Sequence, residues 1–349
     1  MDFSKTLINW YSNHKRNLPW RHSKNPYHIW LSEIILQQTQ VKQGLPYYEK
    51  FIAQYPDVFA LAHATEEAVL KLWQGLGYYS RARNLHAAAQ HIAFHLNGTF
   101  PNTYKDLLKL KGVGDYTASA IASIAFKEST AVVDGNVYRV LSRFFGIDTP
   151  INSTEGIKEF KSLATKFLDQ KQPDIYNQAL MEFGALQCKP KNPKCDTCPL
   201  QQQCVAFNTN QIHNLPVKLK KTKVTNKYFN FLVCLDHHGR IMIEKRASKG
   251  IWHNLYQFPL IESNRSLDAN EFHLLDLQNT GLSHLKLDYH LYNTKDILHK
   301  LSHRHLYTKF WIIETPKLPA KAIPINELEK YPVPALISDF ITTFNFTTI

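Results

Sequence analysis

The sequence predicts a two-domain chain: a mostly helical N-terminal domain that ends in a cysteine-rich loop, then a smaller α+β domain. Three observations predict it. From Phe3 to about Phe207 the apolar residues recur at helical spacing, as in Ala118, Ile121, Ala122, Ile124 and Ala125, with Gly and Pro between the runs. After Gln211 the pattern turns to strand-like alternation, as in Leu306-Tyr307-Thr308-Lys309-Phe310-Trp311-Ile312-Ile313. Four of the five cysteines are packed between Cys188 and Cys204, at the end of the helical half. A chain of 349 residues is too long for one average domain and too short for four. The expected division is therefore 1–207, a basic linker over 208–225, and 226–349.

Composition narrows the partners. The 41 Lys and Arg against 29 Asp and Glu leave a net charge of +12, which favours a polyanion, because basic side chains that meet phosphates release condensed counterions. Met1 to Trp10 holds no apolar run behind a basic start, and no stretch reaches the roughly 18 apolar residues of a membrane span. A cytoplasmic protein with no membrane partner is expected. An odd number of cysteines, four of them clustered, suits a metal site in a reducing compartment better than a disulfide framework. Cys234 stands apart and reads as an ordinary apolar strand residue.

Taken in chain order, Leu7, Trp10 and Tyr11 mark a first helix. A second is expected from a cap at Asn25, with Pro26 at its first position, through to Val41. Ile29, Trp30, Glu33, Ile34, Gln37 and Val41 share one of its faces, so Glu33 points toward core or cleft. Burial disfavours the charged form of a carboxyl and raises its pKa toward neutrality, as a general acid requires. The competing reading is structural, a buried Glu33 paired with Arg81 or Arg83.

Leu107 to Ala118 reads as a short helix, a two-glycine turn at Gly112-Val113-Gly114, and the start of an Ala-rich helix. Glycines let a backbone approach a ligand, and the unpaired N–H groups that open a helix suit an anionic oxygen. This is the shape of a helix-hairpin-helix phosphate clamp; a tight helical hairpin without a ligand fits the same residues. Twenty residues past Gly114, Asp134 follows the apolar run Ala131-Val132-Val133 and precedes Gly135-Asn136-Val137-Tyr138-Arg139. It reads as a partly desolvated acid facing the hairpin or as a helix N-cap, and the two roles are compatible. Cys188-x6-Cys195-x2-Cys198-x5-Cys204 reads as one four-thiolate site, for zinc or an iron–sulfur cluster. Zinc sites usually pair two short C-x2-C knuckles, and only one is present, so the cluster is preferred. Lys189, Lys191 and Lys194 lie in its first loop, within reach of phosphates or simply solvated.

The second domain opens after the basic stretch Lys218 to Lys223. Tyr228 to Cys234, a His238-Gly239 turn and Ile241-Met242-Ile243 predict a hairpin, and Ala335 to Phe344 a closing helix.

Together these residues resemble the iron–sulfur branch of the helix-hairpin-helix DNA glycosylases, and within it the MutY family of adenine DNA glycosylases. The resemblance covers nearly the whole chain. It rests on Leu18-Pro19-Trp20, the string Trp30 to Val41, Leu76 to Leu85, Gly112-Val113-Gly114, Asp134-Gly135-Asn136-Val137 and the cysteine run, all in order and spacing. The string holding Glu33 is the most specific, because related pyrimidine glycosylases share the hairpin, the aspartate and the cluster but lack that glutamate. The implied fold is a mostly α helix-hairpin-helix glycosylase domain with an iron–sulfur cluster loop, followed by a smaller α+β Nudix-like domain.

The resemblance implies roles as well. Glu33 would protonate adenine N7 and help activate water, and Asp134 would stabilise the oxocarbenium-like sugar, the division of labour common in glycoside cleavage. Tyr116 and Asn136 would support Asp134 and the sugar. Tyr116 stands where the pyrimidine-specific relatives carry a Schiff-base lysine, and a phenol forms no imine, so base removal without efficient strand cleavage is expected. Gly112 and Gly114 would hold the DNA backbone, and Gln38 and Tyr78 would wedge into the stack beside the partner purine while the target base flips out. Arg21 and Glu182 are weaker candidates for adenine contacts. Cys188, Cys195, Cys198 and Cys204 would hold a [4Fe-4S] cluster with a structural and DNA-positioning role. Leu301-Ser302-His303 matches the family's Phe-Ser-His loop that senses 8-oxoguanine, with Leu301 in place of its aromatic. Gly250 to Pro259 matches the stretch before the Nudix catalytic box, but only Ile261-Glu262-Ser263-Asn264-Arg265 follows, so nucleotide hydrolysis is not expected. The expected partner is double-stranded DNA with adenine opposite 8-oxoguanine or guanine, bound by a monomer. Two rivals stay open, a pyrimidine glycosylase with lyase activity and a non-catalytic iron–sulfur DNA-binding protein.

Overall fold

The computed structural model describes residues 2–219, 224–278, 280 and 287–346. Lys220, Lys221, Thr222 and Lys223 of the basic stretch lie outside the described residues. The chain divides into two compact units, Met1–His63 with Asn84–Lys220, and Ala64–Arg83 with Lys221–Ile349. One division falls inside the stretch read as a linker. The assignment of Ala64–Arg83 to the second unit departs from a division by sequence position alone.

The first unit is built of helices joined by turns and loops, with no strand among its described residues. Its helices begin where short polar side chains replace missing backbone partners: Asp2 caps Phe3–His14, Asn25 caps Pro26–Leu36, Asp134 caps Gly135–Phe145 and Ser153 caps Thr154–Lys166. The helix Pro173–Leu186 packs on Phe3–His14, Gly135–Phe145 and Asp115–Phe126. Phe160, Tyr176, Leu180 and Phe183 are almost fully buried there, each apolar side chain of that size contributing roughly 2–3 kcal/mol relative to exposure. The helix Pro26–Leu36 packs on Asp115–Phe126. It ends five residues before the expected Val41, because Gln38 takes a left-handed backbone (φ 56°) and a new helix starts as Val41–Gln54. A left-handed residue just past the last turn stops a helix by turning the chain off its axis.

The second unit is built on a parallel pair, Thr225–Asp236 and Arg304–Thr315, in register along both strands. Leu260–Ser263 adds antiparallel to the first, and Asp288–Leu291 and Ile297–Lys300 antiparallel to the second. Phe231, Phe310 and Trp311 are fully buried on these central strands, and Phe340 of the closing helix Ala335–Thr343 stacks on Phe310 at 4.2 Å. The expected hairpin is present but short: after the turn the chain pairs through Leu235 and Ile241 and then leaves the strand.

Candidate active site

Glu33 sits in the last turns of Pro26–Leu36, 9 % exposed, where the sequence placed it on an apolar face. Burial pushes its carboxyl up to about 7; the Tyr116 hydroxyl beside it offsets part of that rise, and the Asp134 charge adds to it. The Arg21 charge also pulls it down, without reversing the rise. A carboxyl titrating near neutrality in an apolar wall can deliver a proton.

Asp134 is both cap and candidate acid. Its Oδ1 accepts from the backbone N–H of Asn136 (2.9 Å) and Val137 (2.7 Å), and its Oδ2 from Asn136 Nδ2 (2.7 Å). Burial raises its pKa, while those N–H donors and the Arg139 charge pull the other way. Asn136 is itself held, since Arg139 donates to its Oδ1 at 2.8 Å and to the Gly184 carbonyl at 2.7 Å. A Cβ on Gly184 would lie 2.7 Å from the Asn136 Cβ, so this approach of two helices requires glycine. The phenol of Tyr116 is driven well above its ordinary range by burial and by the Glu33 and Asp134 charges, so it stays a neutral hydroxyl. Glu33, Tyr116, Asp134 and Asn136 thus form one electrostatically coupled group drawn from three helices.

Arg21 and Glu182 are also brought together, with a third residue that the sequence reading missed. Glu182 accepts from Arg16 N (2.9 Å), Nε (2.9 Å) and Nη2 (2.6 Å) and from Arg21 Nη1 (3.0 Å) and Nη2 (2.8 Å). Burial works to raise the Glu182 carboxyl, but the two guanidiniums outweigh it and hold it at about 2. The site therefore contains one acid kept neutral and one kept ionised. The side chain of Arg16 pairs with Glu182, 166 residues further on, and its place in Lys15-Arg16-Asn17 gave no local signal.

The hairpin turns as expected. Gly112 has φ +78°, and a Cβ there would strike Asn84 at 2.7 Å; Gly114 caps Asp115–Phe126 with no side-chain hydrogen bond to the first turn. A helix opening with no side-chain cap can take a ligand with acceptor oxygens. Gln38 and Tyr78 share an unusual feature, a left-handed backbone at a non-glycine residue (φ 56° and 49°). Such conformations cost about 1–3 kcal/mol and cluster at functional sites. In the second unit Ser302 lies in the turn between Ile297–Lys300 and Arg304–Thr315, and its Oγ is 2.6 Å from the half-exposed Tyr78 hydroxyl.

Cys188, Cys195, Cys198 and Cys204 carry free thiols and line one cavity with Pro193, Phe207 and Ile212. Burial pushes the Cys198 thiol up to about 12, and the neighbouring sulfurs add to it. Four thiolates share such a pocket only around a cationic centre. No three His, Cys, Asp or Glu side chains among the described residues are grouped to hold a single metal ion. The four cysteines share one pocket and only one short C-x2-C knuckle, a pattern that fits an iron–sulfur cluster better than tetrahedral zinc. The loop is braced from below: Arg139 donates to the Cys188 carbonyl at 2.7 Å, and Arg143 to those of Lys189 (2.7 Å) and Pro190 (3.2 Å). Their i, i+4 spacing on Gly135–Phe145 was the available sequence signal.

A glycine hairpin between two helices, a buried neutral acid beside an ionisable aspartate and a four-cysteine loop define a helix-hairpin-helix DNA glycosylase with an iron–sulfur cluster. Residues 31–165 match the HhH-GPD superfamily of base excision DNA repair proteins, 188–204 the iron–sulfur binding domain of endonuclease III, and 230–343 the NUDIX domain. The chain is 38% identical to the adenine DNA glycosylase of Buchnera aphidicola subspecies Baizongia pistaciae, over 89% of this chain and 86% of that one. It is 43% identical to the human adenine DNA glycosylase over 58% and 39% of the two chains. Among solved structures, a thermostable thymine-DNA glycosylase superposes with a TM-score of 0.55 at 30% identity, over 59% of this chain and 95% of that one. The chain belongs to the adenine DNA glycosylase family.

Proposed function

We propose that this protein hydrolyses the N-glycosidic bond of adenine standing opposite 8-oxoguanine or guanine in duplex DNA, leaving an abasic site with little strand cleavage. Residues 1–207 carry the base-removal machinery on this reading, and 226–349 read the opposite base. The observation that carries it is Glu33, an acid held neutral to about pH 7 by burial and coupled to Asp134. Protonated Glu33 gives its proton to the leaving adenine, then as a carboxylate takes one from the attacking water. Asp134, oriented by Asn136 and two backbone N–H groups, faces the positive charge that develops on the sugar. Its partial desolvation strengthens that interaction. Ionised Glu182 already accepts five hydrogen bonds from Arg16 and Arg21, so its part would be to hold the Arg21 guanidinium in place for the flipped base.

Tyr116 supports hydrolysis over lyase chemistry, since a neutral phenol supplies no amine for an imine. Gln38 and Tyr78 would fill the space the base leaves, and the Ser302 hydroxyl would meet the opposite purine, with Leu301 adding apolar contact but no aromatic stack. Nudix hydrolysis has no support among the described residues: Glu262 faces Lys227, Arg265 pairs with Glu271, and no group of His, Cys, Asp or Glu there is placed to hold a metal ion. When bound, the cluster cross-links the loop Cys188–Cys204 and presents Lys189, Lys191 and Lys194 to phosphates. The test is single-turnover base release from duplexes with adenine opposite 8-oxoguanine, guanine or thymine. Release should be fastest on the first and slowest on the third. Equal rates on all three, or none on the first, would overturn the proposal.

A further inference from the structure

The helix that opens at the glycine hairpin begins with a carboxylate, Asp115, half-exposed in its first turn. For the helix alone this is favourable, since an anion complements the N-terminal dipole. For a helix whose N-terminus meets a DNA phosphate, as in the reading above on which this inference rests, the same charge repels the ligand. The fold surrounds it. Lys161, on the neighbouring helix Thr154–Lys166, places Nζ 3.0 Å from both Asp115 oxygens, and Tyr104 donates its hydroxyl to Oδ1 at 2.6 Å. Lys161 is fixed by more than this pair: Nζ also reaches Ser119 Oγ (3.0 Å) and the Ala131 carbonyl (2.8 Å), and lies over the Tyr104 ring at 5.5 Å. The hydrogen bond to Asp115 pushes the Tyr104 phenol up to about 12, so it remains a donor.

We infer that Lys161, with Tyr104, cancels the charge of Asp115 and so keeps the Gly112-Val113-Gly114 hairpin open to a phosphate. Lys161 is a positioning residue that need not touch DNA. An uncompensated charge a few ångströms from a bound phosphate, in the high effective dielectric of a half-exposed site, weakens binding about fivefold to tenfold at low salt and less at physiological salt.

The test is a double-mutant cycle on the full chain, reading affinity for an adenine-mispaired duplex and the base-release rate at saturating DNA. Lys161→Met should weaken binding about fivefold to tenfold. Lys166→Met, the same charge change elsewhere on that helix, should cost about twofold or less. Adding Asp115→Asn to Lys161→Met should restore affinity to within about twofold of the parent, with the saturating rate unchanged throughout. If Lys161→Met does not fold, Tyr104→Phe carries the same test in milder form, an affinity loss that Asp115→Asn removes. The inference fails if Lys161→Met is no weaker than Lys166→Met, or if Asp115→Asn restores nothing. It also fails if the saturating rate drops instead, which would make Lys161 a brace for the segment leading to Asp134. The clamp itself is tested apart by Gly114→Val, whose added Cβ meets nothing within 4 Å in the folded chain. Unchanged affinity there would remove the clamp reading whatever Lys161 shows.

Discussion

Glu33 sets a pH dependence whose sign follows from its surroundings. Burial raises its pKa from 4.5 to about 7, so the folded state favours the protonated form. The stability this group allows is complete below pH 4.5, declines as pH rises, and is lost once pH passes about 7. At about 1.4 kcal/mol per pH unit across that window, an ionised Glu33 costs the fold on the order of 3 kcal/mol. Glu33→Gln, which keeps the shape and cannot ionise, should therefore be more stable than the parent at pH 8 by a few kcal/mol and nearly equal at pH 4.5. Denaturant unfolding of both proteins at the two pH values measures this. The parent's base release should fall as pH rises through 7, and Glu33→Gln should release no adenine at any pH. A stability difference that does not change with pH would mean Glu33 is solvated. Much of this residue's environment was legible in the sequence, because helical spacing alone put it among Ile29, Trp30 and Ile34. Arg16 was not legible, because its meaning comes from Glu182, 166 residues away.

At the scale of elements, capping residues were read correctly because an N-cap is a local contract between one side chain and the next two or three N–H groups. Asn25 and Asp134 both honour it. The end of the Glu33 helix was not readable, because Gln38 carries no glycine or asparagine to mark its left-handed turn. That misfit between residue and backbone separates function from stability. Glycine at 38 would relieve the left-handed strain, while its greater freedom in the unfolded chain costs a similar amount. Gln38→Gly should thus leave the melting temperature within a few degrees of the parent. If Gln38 fills the stack when the adenine flips, the same variant should slow single-turnover release and weaken mispair binding by about tenfold. A variant that melts normally and works normally would show that the turn is only a helix stop.

For the whole molecule, chain position and packing part company at Ala64–Arg83. This segment belongs to the compact unit of the second domain, held by Lys71 Nζ on the Tyr331 carbonyl (3.2 Å), Gln74 Nε2 on Ser338 Oγ (3.1 Å), the Tyr79 hydroxyl on the Val333 carbonyl (3.3 Å) and Arg83 Nη1 on the His253 carbonyl (2.8 Å). No periodicity within the segment reports partners that lie more than 160 residues further on. One consequence is that Tyr78, read from sequence as a wedge of the helical half, stands 2.6 Å from Ser302. On the proposed function the residue that enters the stack and the residue that senses the opposite purine then act through one hydrogen bond. Side chains joined in this way give non-additive mutations, with coupling of about 1 kcal/mol. Tyr78→Phe and Ser302→Ala should each reduce the preference for 8-oxoguanine over guanine opposite adenine, measured as a ratio of affinities. The double variant should lose little more than either single one, because either change already breaks the shared bond. Losses that simply add would mean that the two residues read the duplex independently, and that the segment's place in the second unit serves packing alone.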